Sequence, residues 1–225
     1  MLYDFHTHTF HSDGVLSPIE LIYRAFVNGY STIAITDHIA LGSLGRVIKE
    51  VSEDCALARA YWNVLAIPGV ELTHLPPQAI SEVAQKAKEL GAWLVIVHGE
   101  TPTEPVEKGT NLAAAQSPYV DILAHPGLIT PKEATLAARN NIFIELTARR
   151  GHSTANAHIA LVSQKAKAKL LVNSDAHDEN DLLTPTLTET ILDQAGVGNQ
   201  QYQQILNRNP LLLIEKINKS SLHPG

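Results

Sequence analysis

The sequence predicts an α/β fold, a single domain rolled into a β/α barrel, and three observations carry that reading. Short apolar runs alternate with amphipathic stretches along nearly the whole chain. Seven strand–helix units in 225 residues recur at roughly 32 residues each, close to the ~30 or more of a βαβ unit. The turn after the first run carries His6-Thr7-His8, and no GxGxxG or GxxxxGK[ST] occurs anywhere. An open doubly wound sheet, the other architecture that fits the alternation, usually has a glycine-rich loop at that turn. No Ser/Gly/Pro-rich linker divides residues 1–225, so one domain is expected.

The first strand is expected over residues 2–5, where the chain reads Leu-Tyr-Asp-Phe. A helix follows from Ser17-Pro18-Ile19-Glu20, with Ser as N-cap, Pro at the first helical position and an acid at the third, and it stops at Asn28-Gly29. Residues 32–36 form the second strand, and the next helix contains Cys55. Residues 64–68 form the third strand, and a helix runs from Pro77 to Leu90-Gly91, where glycine ends it. Strands over 93–97 and 119–123 come next, and Thr130-Pro131-Lys132-Glu133 opens a helix as Ser17 does. The last strands cover 142–146 and 170–173. All are rich in Ile, Val and Leu with few charges, as strands covered on both faces should be.

Hydrophobic residues make up 44% and charged residues 18%, an ordinary globular balance. Lys and Arg total 17 against 23 Asp and Glu, a formal charge of −6. That sign argues against adhesion to nucleic acid or to an anionic membrane. Cys55 is the single cysteine, so no disulfide framework is expected. The start MLYDFHTHTF lacks the basic and apolar regions of a signal peptide, and no apolar run approaches the ~18 residues of a membrane helix. A soluble, cytoplasmic protein is expected.

Histidine is the unusual component, at 11 residues. Nearly every predicted strand leads into a potential metal ligand: His6 and His8 with Asp13, then His38, Glu71, His98, His125, and finally Asp175 with His177. In β/α barrels the active site gathers at the C-terminal ends of the strands, so these residues should converge. Alternation along an extended chain points His6 with His8, and Asp175 with His177. One zinc ion takes four ligands, or three and a water, so this set suits three ions, or two. Mixed imidazole and carboxylate donors suit Zn, Mn or Fe.

The motifs HTH (6–8), SDG (12–14), TDH (36–38), GVE (69–71), VHGE (97–100), AHPG (124–127) and NSDAH (173–177) stand in an order that resembles the PHP (polymerase and histidinol phosphatase) superfamily. Asn209-Pro210-Leu211 is similar to that family's end. The resemblance implies a distorted (β/α)7 TIM-like barrel with two or three divalent ions and phosphoester hydrolysis. By the same resemblance, His6, His8, Glu71 and Asp175 would hold one ion, and Glu71 would bridge to a second held by His98 and His125. Asp13, His38 and His177 would hold a third, with Asp13 at a position where some members carry His. Glu71 and Asp175 would be the catalytic pair, placing an ion-activated hydroxide for in-line attack on a terminal phosphate.

Other residues have a place in that chemistry. Asp4 and Asp37 are candidates for orienting ligand histidines, with a structural salt bridge as the equal alternative. Glu145, an acid inside an apolar strand, should face the pocket or a cation. Arg149 and Arg150 follow the sixth strand on the active-site side and are candidate phosphate clamps, with Arg46 and Lys108 as weaker ones. His11 and His74 could protonate a leaving group or wall the pocket, and His152 could touch substrate. His158, His223 and Cys55 read as surface or packing residues. The expected substrate is a small phosphomonoester: histidinol phosphate, a nucleotide or a sugar phosphate. An amidohydrolase, which would use a bridging lysine where His98 stands, and a non-catalytic metal-binding module are the alternatives. A homodimer is a default expectation.

Overall fold

The computed structural model describes residues 1–220 and contains a parallel barrel. Its strands are β1 (Leu2–Asp4), β2 (Tyr30–Ile35), β3 (His38–Ile39), β4 (Leu65–Leu72), β5 (Leu94–His98), β6 (Ile122–Ala124), β7 (Phe143–Thr147) and β8 (Leu170–Asn173). The hydrogen-bonded order is β1-β2-β4-β5-β6-β7-β8. Each of the seven expected runs forms a strand. The short β3 is additional: β2 pairs with the first half of β4, whereas His38 and Ile39 pair with Glu71 and Leu72 at its far end. Strand two is therefore interrupted at Thr36-Asp37 and resumes beside Glu71.

Closure is made above β1 rather than along it. The Asp175 N–H donates to the His6 carbonyl at 2.9 Å, and the His8 N–H donates to the Ala176 carbonyl at 2.8 Å. Below them the Phe5 N–H donates to Asn173 Oδ1 at 3.0 Å. The seam therefore runs through residues expected as ligands.

Among the described residues, eight α-helices pack on the strands: α1 (Pro18–Val27), α2 (Leu44–Tyr61), α3 (Ile80–Glu89), α4 (Thr110–Gln116), α5 (Pro131–Arg139), α6 (Asn156–Ala166), α7 (Pro185–Gln194) and α8 (Asn209–Ser220). The Ser17 hydroxyl caps α1 by accepting from the Glu20 N–H, and Thr130 with Glu133 forms a reciprocal capping box on α5. The helix expected from Pro77 opens instead with a 3-10 turn, Pro77–Ala79.

Strand pleating sorts the core into two layers. Ile33, Val95, Leu123, Ile144 and Leu170 face the helices. Tyr3, Phe5, Ile67, Ile96, Phe143 and Leu171 fill the barrel, where Leu213 and Ile217 of α8 join them. The C-terminal helix thus contributes to the barrel interior. It is held there by Lys216, whose ammonium lies 3.0 Å from a carboxylate oxygen of buried Asp121, itself also paired with Lys88. Asn209 Nδ2 adds a bond to the Leu170 carbonyl at 2.8 Å.

Continuing the inner row toward the C-terminal ends of the strands gives Glu71 after Ile67 and Gly69, His98 after Leu94 and Ile96, Glu145 after Phe143, and Asn173 after Leu171. Gly69 is required at its place, because a Cβ there would lie 2.8 Å from Thr36 Cγ2. His158 differs from expectation. It is half-buried, and its Nε2 lies 2.9 Å from the Ile129 carbonyl, tying α6 to the loop before α5. His223 lies outside the described residues.

Candidate metal centre

His6, His8, Glu71, His98, His125 and Asp175 are buried at the C-terminal end of the barrel. His38, His177 and Asp13 stand toward solvent from them. Three sets of donor atoms lie close enough to surround an ion: His6, Glu71 and His125; His6, His8 and Asp175; and His8, Asp13, His38 and His177. His6 and His8 each belong to two sets, so the sets are joined through these two residues into one contiguous centre.

This grouping differs in part from the expected one. His8 also joins the outer set, because its ring lies between His38 and His177, with centroids 4.3 Å from each. Glu71 is central: its Oε2 is 2.7 Å from His38 Nδ1, 3.3 Å from His6 Nε2 and 3.7 Å from His8 Nε2, and its Oε1 is 3.5 Å from His125 Nε2. His98 belongs to none of the three sets. Its nearest carboxylate is Glu104, at 3.6 Å, on the loop after β5. Sequence reading passed over Glu104 because it is not at a strand end. Its signal is weak, an acid between two prolines in a long loop.

The donor set fits divalent cations. Two donors held ~2.0–2.2 Å from one tetrahedral ion are on the order of 3.4 Å apart. His6–Glu71 at 3.3 Å, His125–Glu71 at 3.5 Å and His125–Asp175 at 3.6 Å have that spacing. The Nε2 atoms of His6 and His8 face each other at 3.0 Å, and Oε1 of Glu71 is buried without a hydrogen bond. Such atoms are costly to bury unless a shared partner satisfies them.

Electrostatics at His8 and His125 agree with that fit. Burial, followed by the positive neighbours His38 and His6, holds the His8 pKa well below its usual value, and burial with His98 does the same for His125. Both rings are therefore neutral and offer lone pairs. Burial opposes ionisation of Glu71, yet His6 and His38 keep its pKa well below the usual range. Burial, with Glu71 and Glu145 nearby, pushes Asp175 up to about 7. These buried carboxylates call for compensating positive charge.

The carboxylates around the centre divide their work differently from expectation. Glu145 reaches the ring of an expected ligand: its Oε2 lies 2.8 Å from His6 Nδ1. Asp37 holds backbone and hydroxyls instead, accepting from the Thr9 N–H and Thr9 hydroxyl at 2.8 Å each and from the Ser12 hydroxyl at 2.7 Å. Asp4 accepts from the His6 and Ser174 N–H groups across the seam, and burial pushes its pKa up to about 7. Both shape the ligand loops through the main chain because neither reaches an imidazole. Backbone strain marks the same region: Asp175 has φ 56° and His125 φ 26°, in the left-handed region.

The cationic candidates are peripheral. Arg149 Nη1 lies 3.3 Å from Asp181, whose same oxygen accepts the His177 N–H at 3.0 Å. Arg149 and Arg150 line a cavity of about 400 Å³ that also borders Ser174, next to Asp175. A larger cavity of about 640 Å³ opens at the opposite end of the barrel beside Gly29, Arg59 and Trp62, and no carboxylate or histidine lines it. Arg46 is paired with Glu50 on the surface of α2, and Lys108 is exposed. His11 also faces Glu50, at 3.5 Å, and His74 is exposed with φ 55°. His152 is buried beside His125, its Nδ1 3.0 Å from the Thr101 hydroxyl. Cys55 is buried in α2, and burial raises its pKa to about 12, so it is an unreactive packing residue. No described helix is long and apolar enough to cross a membrane.

Residues 4–141 match the family described as PHP domain. The uncharacterized protein MJ1295 of Methanocaldococcus jannaschii is 42% identical over 96% of this chain and 100% of its own. A chain in the cryo-EM structure of archaeal ribonuclease P with mature tRNA has a TM-score of 0.71 at 15% identity, over 97% of this chain and 93% of that one. Histidinol phosphate phosphatase (HisK) from Lactococcus lactis, complexed with zinc, L-histidinol and phosphate, has a TM-score of 0.62 at 14% identity, over 88% and 94%. At these identities the two structures share the fold with this chain.

Proposed function

Because the chain belongs to the PHP domain family, we propose that it is a metal-dependent phosphoesterase hydrolysing a small phosphomonoester. The observation that carries this reading is the set of donor clusters joined through His6 and His8 at the C-terminal end of the barrel. His6, His8, Asp13, His38, Glu71, His98, His125, Asp175 and His177 would hold two or three divalent ions, Zn, Mn or Fe. When bound, such ions neutralise charge on phosphoryl oxygens and acidify water near neutral pH.

The chain's own residues supply the rest. Glu71 and Asp175, the catalytic pair, present carboxylates to several histidines at once and set where a phosphoryl group can sit. Glu145 holds His6 in one ring orientation. Arg149 and Arg150 are placed to bind phosphate or a second anionic group from the neighbouring cavity. Histidinol phosphate, a nucleotide and a sugar phosphate are the substrate classes in view. The HisK likeness bears on the first of these, though at the level of fold.

Metal content measured beside phosphate release from p-nitrophenyl phosphate, histidinol phosphate, AMP and a nucleotide bisphosphate tests the proposal. Two to three ions per chain with chelator-sensitive release is the expected result. Ions bound with no release from any ester would overturn it.

A further inference from the structure

His98 stands outside the three donor sets, yet its surroundings resemble theirs. Its Nδ1 lies 3.1 Å from the Gly99 carbonyl, which makes that nitrogen the donor and leaves Nε2 as the lone-pair atom. Nε2 is buried and has no hydrogen-bond partner. The carboxylate it faces is Glu104 Oε2, at 3.6 Å, too long for a hydrogen bond. The separation matches the His125–Asp175 edge, also 3.6 Å, in the centre itself. The same Glu104 oxygen lies 3.9 Å from His152 Nε2, and His98 adjoins His125 with ring centroids 4.5 Å apart.

Glu104 is held there by the way its loop is anchored. The carboxylate of Glu100 accepts from the N–H groups of Gly109 and Asn111 at 2.9 and 3.0 Å, drawing the two feet of the loop together. Asn111 returns a bond from the Glu100 N–H and ties the loop to the Pro126 carbonyl, next to His125. The Thr101 hydroxyl binds His152 and contacts Thr103, and Pro102 and Pro105 limit the backbone on either side of Glu104. The Glu104 side chain is 42% exposed, so it can move without disturbing the core.

We propose that Glu104 is a further, exchangeable metal ligand, pairing with His98 to complete the His98–His125 end of the centre from the 101–110 loop. Glu71 and His125 leave His98 Nε2 without a partner at that end. A loop carboxylate closes it in the resting protein and yields its place to an anionic group arriving from outside. The 101–110 loop then controls how tightly the ion at the His98–His125 end is held. The inference rests on the metal-centre reading above.

Zinc titration by equilibrium dialysis, run on the wild-type chain, Glu104→Ala, Glu104→Gln and His98→Ala, tests it. Cobalt-loaded samples of the same proteins add a visible spectrum that reports coordination. Both Glu104 variants should hold the most weakly bound ion about tenfold less tightly and keep the remaining ions at wild-type affinity. Their cobalt bands should change in position or intensity, as those of His98→Ala should. Titrations and spectra of the Glu104 variants identical to wild type would overturn the assignment of Glu104 alone. A wild-type chain that takes up no ion would overturn the metal-centre reading, and this inference with it.

Discussion

Glu145 Oε2 lies 2.8 Å from Nδ1 of His6, and the same oxygen accepts from Asn173 Nδ2, also at 2.8 Å. The pair turns His6 Nε2 toward Glu71 and Asp175, and it crosses from β7 to the segment after β1 through the barrel interior. Burial opposes protonation of His6, but Glu145, Glu71 and Asp175 raise its pKa well above the usual value.

Replacing Glu145 with Gln keeps the volume and removes the charge that orients the ring. Losing such an outer partner typically costs 10–100-fold in metal affinity. Chelator competition should show a loss of about tenfold or more, with an unchanged circular dichroism spectrum. Unchanged affinity would make Glu145 a purely structural acid.

Glu71→Ala removes the carboxylate that touches His6, His8, His38 and His125. Phosphate release should fall by more than about a hundredfold, since even an outer partner costs up to that much. EDTA should abolish wild-type release, and added Zn or Mn should restore it. Normal turnover by Glu71→Ala would remove Glu71 from the catalytic pair.

Arg149 is tied to Asp181, which also holds the His177 backbone. If Arg149 binds phosphate, Arg149→Ala should raise KM by about tenfold or more with a smaller change in kcat. A charge-assisted hydrogen bond is worth about 1.5–3 kcal/mol, which corresponds to such a factor. A kcat loss at constant KM would identify Arg149 as a strut of the His177 loop instead.

Asp121 supplies the pH prediction. Burial works against its carboxylate, but the ammonium groups of Lys88 and Lys216 outweigh burial and hold its pKa below the usual range. Lys88 has one carboxylate and a second cation nearby, and burial lowers its pKa in turn. The carboxylate is thus the group that gains most from the triad. With a depressed folded pKa, Asp121 contributes stability above its unfolded value of about 3.9, and that contribution is lost as pH falls through the folded value. Asp121→Asn should cost about 3 kcal/mol at pH 7 by urea unfolding. The difference from wild type should shrink as the pH drops below about 4. A pH-independent difference would show that the loss is one of packing.

The strands, and the convergence of the candidate ligands at one end of them, were legible in the sequence because both follow from short-range rules. A run of β-branched residues reads as a buried strand, and alternation then places Glu71, His98 and Glu145 on the inner wall. Helix starts at Ser17 and Thr130 were equally legible, since capping needs residues three apart. The sequence left the role of Asp37 open, because its adjacency to His38 says nothing about direction. Its carboxylate turns toward Thr9 and Ser12, across the interruption between β2 and β3.

By itself the sequence determined the α/β alternation, the strand-end position of the expected ligands other than Asp13 and a donor chemistry suited to borderline divalent ions. These depend on residue type and on spacings of two to four residues. Only the tertiary structure decided which donors share an edge, that the barrel seam passes through His6, His8 and Asp175, and that α8 enters the barrel interior. It also placed Glu104 against His98. Each of these is a through-space relation between distant segments, fixed by strand order, seam geometry and loop anchoring, which no local pattern encodes.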